Sequence, residues 1–223
     1  MILALETTEK FGSAAILKDR QVLSEIVLPR NQRSSRTLHP ALQTLFETVQ
    51  IIPPEIDVVA VVAGPGSFTG LRVGVTAAKV FAYTLGTKII ALDTFQTVAA
   101  ALPMHAGMIS VGVDAQRGDV VAALLRQTRP GHAEMVKKPE MMNVNDWWKH
   151  AEEHENVLFA GPALERWGTQ TPAGLILADE ADWFPKAAAA GRLATERITT
   201  KQFDDVWALS PIYSRMSAAE ERT

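Results

Sequence analysis

A run of β-branched and small apolar residues, Val58, Val59, Ala60, Val61, Val62 and Ala63, stops at Gly64-Pro65-Gly66. It resumes past Ser67-Phe68-Thr69-Gly70 as a second apolar stretch over residues 71–85. The first run is too short for a helix and is ended by strong turn formers, so it predicts a strand buried on both faces, as parallel strands are. The second carries polar side chains only at Arg72, Thr76, Lys79 and Tyr83, which recur at helical spacing as one narrow stripe. A helix on a sheet needs a single apolar face. This one has more apolar surface than its own sheet can cover, and the surplus is the first pointer to function.

The glycine-rich bend invites a phosphate-site reading, and spacing rejects two forms of it. A Walker loop needs Gly-Lys-Ser/Thr five positions after its first glycine, where Thr69 and Leu71 follow Gly64 and Gly66. The dinucleotide fingerprint needs a third glycine one residue before Gly70. What remains is Ser67 or Thr69 as an N-cap, with free helix amides that suit an anion, set against an ordinary strand-to-helix turn.

At 223 residues the chain has room for one large domain or two lobes of about 100 residues each. A net charge of −3 gives no overall basic field for nucleic acid, so any RNA contact is local or shared with a partner. The absence of cysteine removes disulfides, thiolate nucleophiles and cysteine zinc sites, and fits a reducing compartment. Glu6 and Thr7 come too early for a signal peptide, and no apolar stretch is long enough to span a membrane, so a cytoplasmic location is expected.

Taken in order, residues 2–5, 13–17 and 21–28 predict an antiparallel meander, followed by a basic loop over 30–36 and a first helix bent or begun near Pro40. After the central strand and helix come a strand at 88–92 and a helix at 94–102, then a seam at 103–107. The order then restarts. Strands are expected at 108–113, 120–125 and 133–136, a helix at 145–154, and strands at 157–160 and 175–177 separated by a short helix through Trp167. Helices are expected at 186–198 and 202–209, before an irregular tail. Two halves that each run β-β-β-α-β-α suggest a duplicated α/β lobe.

Four segments carry a resemblance: Leu3-Ala4-Leu5-Glu6-Thr7-Thr8; Gly64-Pro65-Gly66-Ser67-Phe68-Thr69-Gly70-Leu71-Arg72; Val113-Asp114-Ala115-Gln116-Arg117-Gly118-Asp119-Val120; and Pro211-Ile212-Tyr213-Ser214-Arg215. Together they resemble the TsaB (YeaZ-like) family of threonylcarbamoyladenosine tRNA-modification proteins, with little signature between about residues 129 and 201. The resemblance implies two actin/Hsp70/sugar-kinase-like (ASKHA, ribonuclease H-like) lobes, each a mixed sheet flanked by helices, at 1–103 and 104–223. It implies a non-catalytic partner of a TsaD-type transferase, a homodimer in isolation, a TsaE-type ATPase as further partner, and tRNA reached through the complex. The partner interface is expected on the two N-lobe helices, at Leu38, Leu42, Leu45, Phe46, Val73, Gly74, Ala77, Ala78, Val80 and Phe81.

No cofactor is required on this reading, apart from weak nucleotide binding at a shared interface. The nucleotide-cleft residues are Glu6, Thr7, Thr8, Asp114 and Arg117. An actin-like ATPase holds metal-bound phosphates with an acid and a glycine/hydroxyl turn after its first strand; here Glu replaces the usual Asp, and the next glycine is Gly12. The rival reading is an active phosphotransferase using Glu6 and Asp114. A TsaD-like enzyme holds its metal with two histidines four apart on the first helix, where this chain has only His39. His150 and His154 have that spacing but lack the zincin glutamate, and read as part of a solvated acidic face. No serine, histidine and acid constellation is evident. The five tryptophans read as packing residues, and Arg30, Arg33 and Arg36 as a solvated loop or a place for phosphate or a partner carboxylate.

Overall fold

The computed structural model describes residues 1–30 and 32–215. They divide into two compact units, Met1–Thr94 with Lys186–Ile212, and Phe95–Pro185 with the chain from Tyr213. This differs from a division at Pro103 because residues 95–103 pack into the second core and the late helix returns to the first.

In the first unit, strands β1 (Ile2–Glu6), β2 (Ser13–Lys18), β3 (Gln21–Val27), β4 (Val58–Gly64) and β5 (Lys88–Asp93) form one sheet in the order β3-β2-β1-β4-β5. The β1–β2 and β2–β3 pairs are antiparallel, whereas β4 runs parallel to both β1 and β5. Every residue of β4 is buried, as expected for a strand covered on both faces. Helices α1 (Ser34–Val49) and α2 (Phe68–Leu85) share a core with Leu3, Leu5, Ile16, Val59 and Val61.

The opposite face carries the row Ala15, Ala4 and Ala60, in register across three strands. Against it packs α6 (Ala187–Thr199), which opens on Ala187-Ala188-Ala189-Ala190-Gly191. A Cβ on Gly191 would lie 2.3 Å from Leu17 Cδ1, so small residues on both sides bring helix and sheet together. Two features differ from expectation. Helix α1 starts at Ser34 and runs through Pro40, and residues 202–209 form a turn-rich strap rather than a helix.

In the second unit, β6 (Met108–Asp114), β7 (Asp119–Arg129), β8 (His132–Asn143), β9 (Leu158–Ala160) and β10 (Ile176–Leu177) run in the order β10-β9-β6-β7-β8. Read backwards, this is the topology of the first sheet, an antiparallel meander joined to two parallel strands. The expected duplication is therefore present. Helix α3 (Thr94–Ala101) covers one face with Phe95 and Val98. On the other, α4 (Val144–Trp148) brings Trp147 against Gly112, where a Cβ would meet the indole at 2.5 Å. The helix expected at 145–154 is broken: α4 ends at Trp148, α5 covers His150–Glu153, and His154 is extended. Among the described residues no helix is long and apolar enough to cross a membrane.

Candidate functional site

Strand β1 delivers Glu6 to a fully buried position. Its Oε1 accepts from the Thr8 amide at 2.5 Å and the Thr8 hydroxyl at 2.6 Å, while Oε2 is buried with no hydrogen-bond partner. Burial pushes the Glu6 carboxyl up to about 8, outweighing the two Thr8 hydrogen bonds that favour the ionised form. At that value the buried carboxyl is mainly protonated at neutral pH.

The turn after β1 is filled by the glycine-rich bend. The Ser67 amide donates to Thr8 O at 2.6 Å, and Thr7 Oγ1 donates to Gly70 O at 2.8 Å. A Cβ on Gly66 would stand 2.5 Å from Thr8 O, one on Gly70 2.0 Å from Thr7 O, and one on Gly74 2.3 Å from Thr7 Oγ1. These glycines therefore let α2 press onto the β1 turn, which explains a spacing that matches no phosphate motif. Ser67 is the N-cap, accepting from Gly70 N at 3.4 Å, and Thr69 is exposed. Gly64 has φ +126°, and a Cβ there would lie 2.3 Å from Ile212 O. The bend thus seats α2 at a fixed angle on its sheet.

Between α1 and α2 lies a largely apolar groove of about 650 Å³. Leu38 and Leu42 are buried at its floor, and Val73, Ala77, Val80 and Phe81 line it from α2. Val73, Ala77 and Phe81 are half-buried, and Val80 is 57% exposed. The other expected interface residues face inward. Leu45 and Phe46 are core, with Phe46 stacked 6.3 Å from Phe81; Gly74 and Ala78 pack toward the chain's own sheet. A smaller cavity of about 350 Å³ is lined by Lys10, Arg30, Arg33, Ser67 and Thr69. Arg30 lies 4.1 Å over the Phe11 ring.

In the second unit, Asp114 accepts from the Gln116 amide at 2.9 Å and pairs with Arg166 at 3.3 Å. Arg117 sits in the hairpin turn with φ 55°. Two of the sequence signatures meet here, because Arg215 of the tail pairs with Asp119 of the hairpin. Sequence reasoning missed a buried network. Trp147 Nε1 donates to Ser110 Oγ at 2.8 Å, and that hydroxyl lies 2.9 Å from His150 Nδ1. An indole can only donate, so the serine oxygen accepts from Trp147 and the same hydroxyl bridges to the His150 ring. Burial pushes His150 down from its ordinary value. Among the described residues no group of three or more His, Asp or Glu is placed to hold a metal.

The family model of TsaD, tRNA N6-adenosine threonylcarbamoyltransferase, matches residues 21–165, well over half of the chain. A Bacillus subtilis (strain 168) protein, tRNA threonylcarbamoyladenosine biosynthesis protein TsaB, is 30% identical over 99% of this chain and 96% of its own length. The Escherichia coli (strain K12) protein of the same name is 26% identical over 98% and 96%. Among solved structures, YeaZ from Pseudomonas aeruginosa superposes with a TM-score of 0.77 at 20% identity, covering 95% of this chain and 98% of that one. With the full-length match, the paired sheets of one actin-like topology and the glycine bend locked onto the β1 turn, the chain belongs to the TsaB (YeaZ) family.

Proposed function

We propose that this chain is a non-catalytic scaffold that binds a TsaD-type transferase in the formation of N6-threonylcarbamoyladenosine beside the tRNA anticodon. The observation that carries the reading is the apolar groove between α1 and α2, rimmed by Val73, Ala77, Val80 and Phe81. Burying several such side chains contributes about 1.5–3 kcal/mol each, enough to support a standard-size interface. By binding the competent conformation of its partner, the chain raises that conformation's population. In isolation the same face pairs two copies, a TsaE-type ATPase joins the assembly, and tRNA is reached through the complex.

The polar turns support the same reading over an ATPase. Glu6 is buried and mainly neutral at pH 7, the glycine bend occupies the turn beside it, and Asp114 is turned onto Gln116 and Arg166. The test is modification of tRNA by the transferase with and without this chain. Loss of modification on omission, restored by the wild type but not by Ala77→Arg, supports the scaffold; equal rates in all three overturn it.

A further inference from the structure

On the outer side of α2 from its sheet, Tyr83 is 66% exposed and Trp207 is 71% exposed, and the two rings meet edge to face at 5.1 Å. Trp207 belongs to the strap over residues 202–212, which is pinned at several points. Asp204 N donates to Ile89 O at 2.9 Å, Asp205 Oδ1 accepts from Trp207 N at 2.8 Å, and Ile212 N donates to Ala63 O at 2.7 Å. Val206 and Leu209 turn into the core while Trp207 turns out. Lys79, the one cation of α2 after Arg72, bends to the Trp207 and Leu209 carbonyls at 3.3 and 2.9 Å. Its ammonium is thereby drawn to the strap, and Val80, Tyr83 and Trp207 are left as an apolar outcrop next to the groove.

We propose that Trp207, braced by Tyr83, is an anchor of the face that binds the TsaD-type transferase, extending that face from the α1–α2 groove onto the strap. The proposal rests on the pairing with that enzyme argued above. A stable pair buries about 800 Å² on each partner, and of the apolar residues that line the groove from α2, Phe68, Val73, Ala77, Val80 and Phe81, only Val80 is mostly exposed. Covering Tyr83 and Trp207 adds roughly 200–350 Å² of rigid aromatic surface, the kind that dominates binding energy. The transferase family model covers α1 and α2 but not the strap, so the groove is the part of this face shared with the enzyme's own family, and Trp207 lies outside it. Base stacking is disfavoured, because a single-strand platform interleaves aromatics with free basic groups and the one lysine here is held by carbonyls.

The test is titration calorimetry of the full-length chain with the TsaD-type transferase of the same organism. Trp207→Ala is expected to weaken binding about tenfold or more, Trp207→Phe much less, and Ala77→Arg to abolish it. Unchanged affinity for Trp207→Ala beside lost binding for Ala77→Arg overturns the anchor and leaves the docking face standing. Unchanged affinity for both overturns the docking face itself, and the anchor with it. A second readout does not depend on the alanine variant: with 5-fluorotryptophan incorporated, the Trp207 fluorine resonance, assigned through Trp207→Phe, shifts on adding transferase. A resonance that stays put, or that moves only with tRNA or with self-association, overturns the proposal.

Discussion

The Thr7 hydroxyl donates to the Gly70 carbonyl oxygen at 2.8 Å, tying the turn after the first strand to the first turn of α2. In an actin-like ATPase that turn faces phosphate. Here it packs onto α2, and the same contact fixes the helix that rims the groove.

Gly70→Ala tests the lock. Its Cβ would sit 2.0 Å from the Thr7 carbonyl oxygen, and a backbone atom cannot swing aside as a side chain can. The expected cost is about 1–3 kcal/mol of stability, read as a lower melting temperature, together with weakened transferase binding as α2 shifts.

Glu6 makes stability depend on pH in an unusual direction. Its folded value of about 8 lies above its ordinary 4.5, so between those limits the folded chain holds the extra proton. Its contribution is therefore fully present below about pH 4.5 and is lost as pH rises through about 8. Glu6→Gln is expected to flatten that slope in urea unfolding measured from pH 5 to pH 8.5, by an amount on the order of a few kcal/mol across the range. A wild-type slope retained by the variant would show that Glu6 is not its source.

The Ser110, Trp147 and His150 trio predicts the opposite sign within the second unit. His150 is held below its ordinary value of 6.5, so protonation opposes folding and its contribution is lost as pH falls below that value. Ser110→Ala leaves Trp147 Nε1 and His150 Nδ1 buried without the hydroxyl, and is expected to cost about 1–3 kcal/mol by denaturant unfolding at pH 7.5.

Strand β4, the bend and α2 were legible because a short apolar run, a glycine stop and a 3.6-residue period each have one physical reading. The α1–α2 groove was legible only in part. Periodicity shows that Leu38, Leu42, Leu45 and Phe46 share a face of α1, but not that their own sheet covers it. Gly74 and Ala78 likewise read as room for a partner, whereas they make room for Thr7 and the sheet. Spacing predicts a helix for the strap because Phe203, Val206 and Leu209 recur every three residues. Asp204 and Asp205 instead bond to the β5 backbone and to the Trp207 amide, a competition that acidic side chains win outside helices. The pairing of Ser110 with His150 had no local signal, since 40 residues separate them.

On the proposal above, the α1–α2 face binds another protein. Its most direct measurement is the affinity of the wild-type chain and of Ala77→Arg for the TsaD-type transferase, with light-scattering masses and circular dichroism on both chains. A complex is expected with the wild type, and none with the variant at an unchanged fold and a monomeric mass. A variant that binds as tightly as the wild type would contradict it.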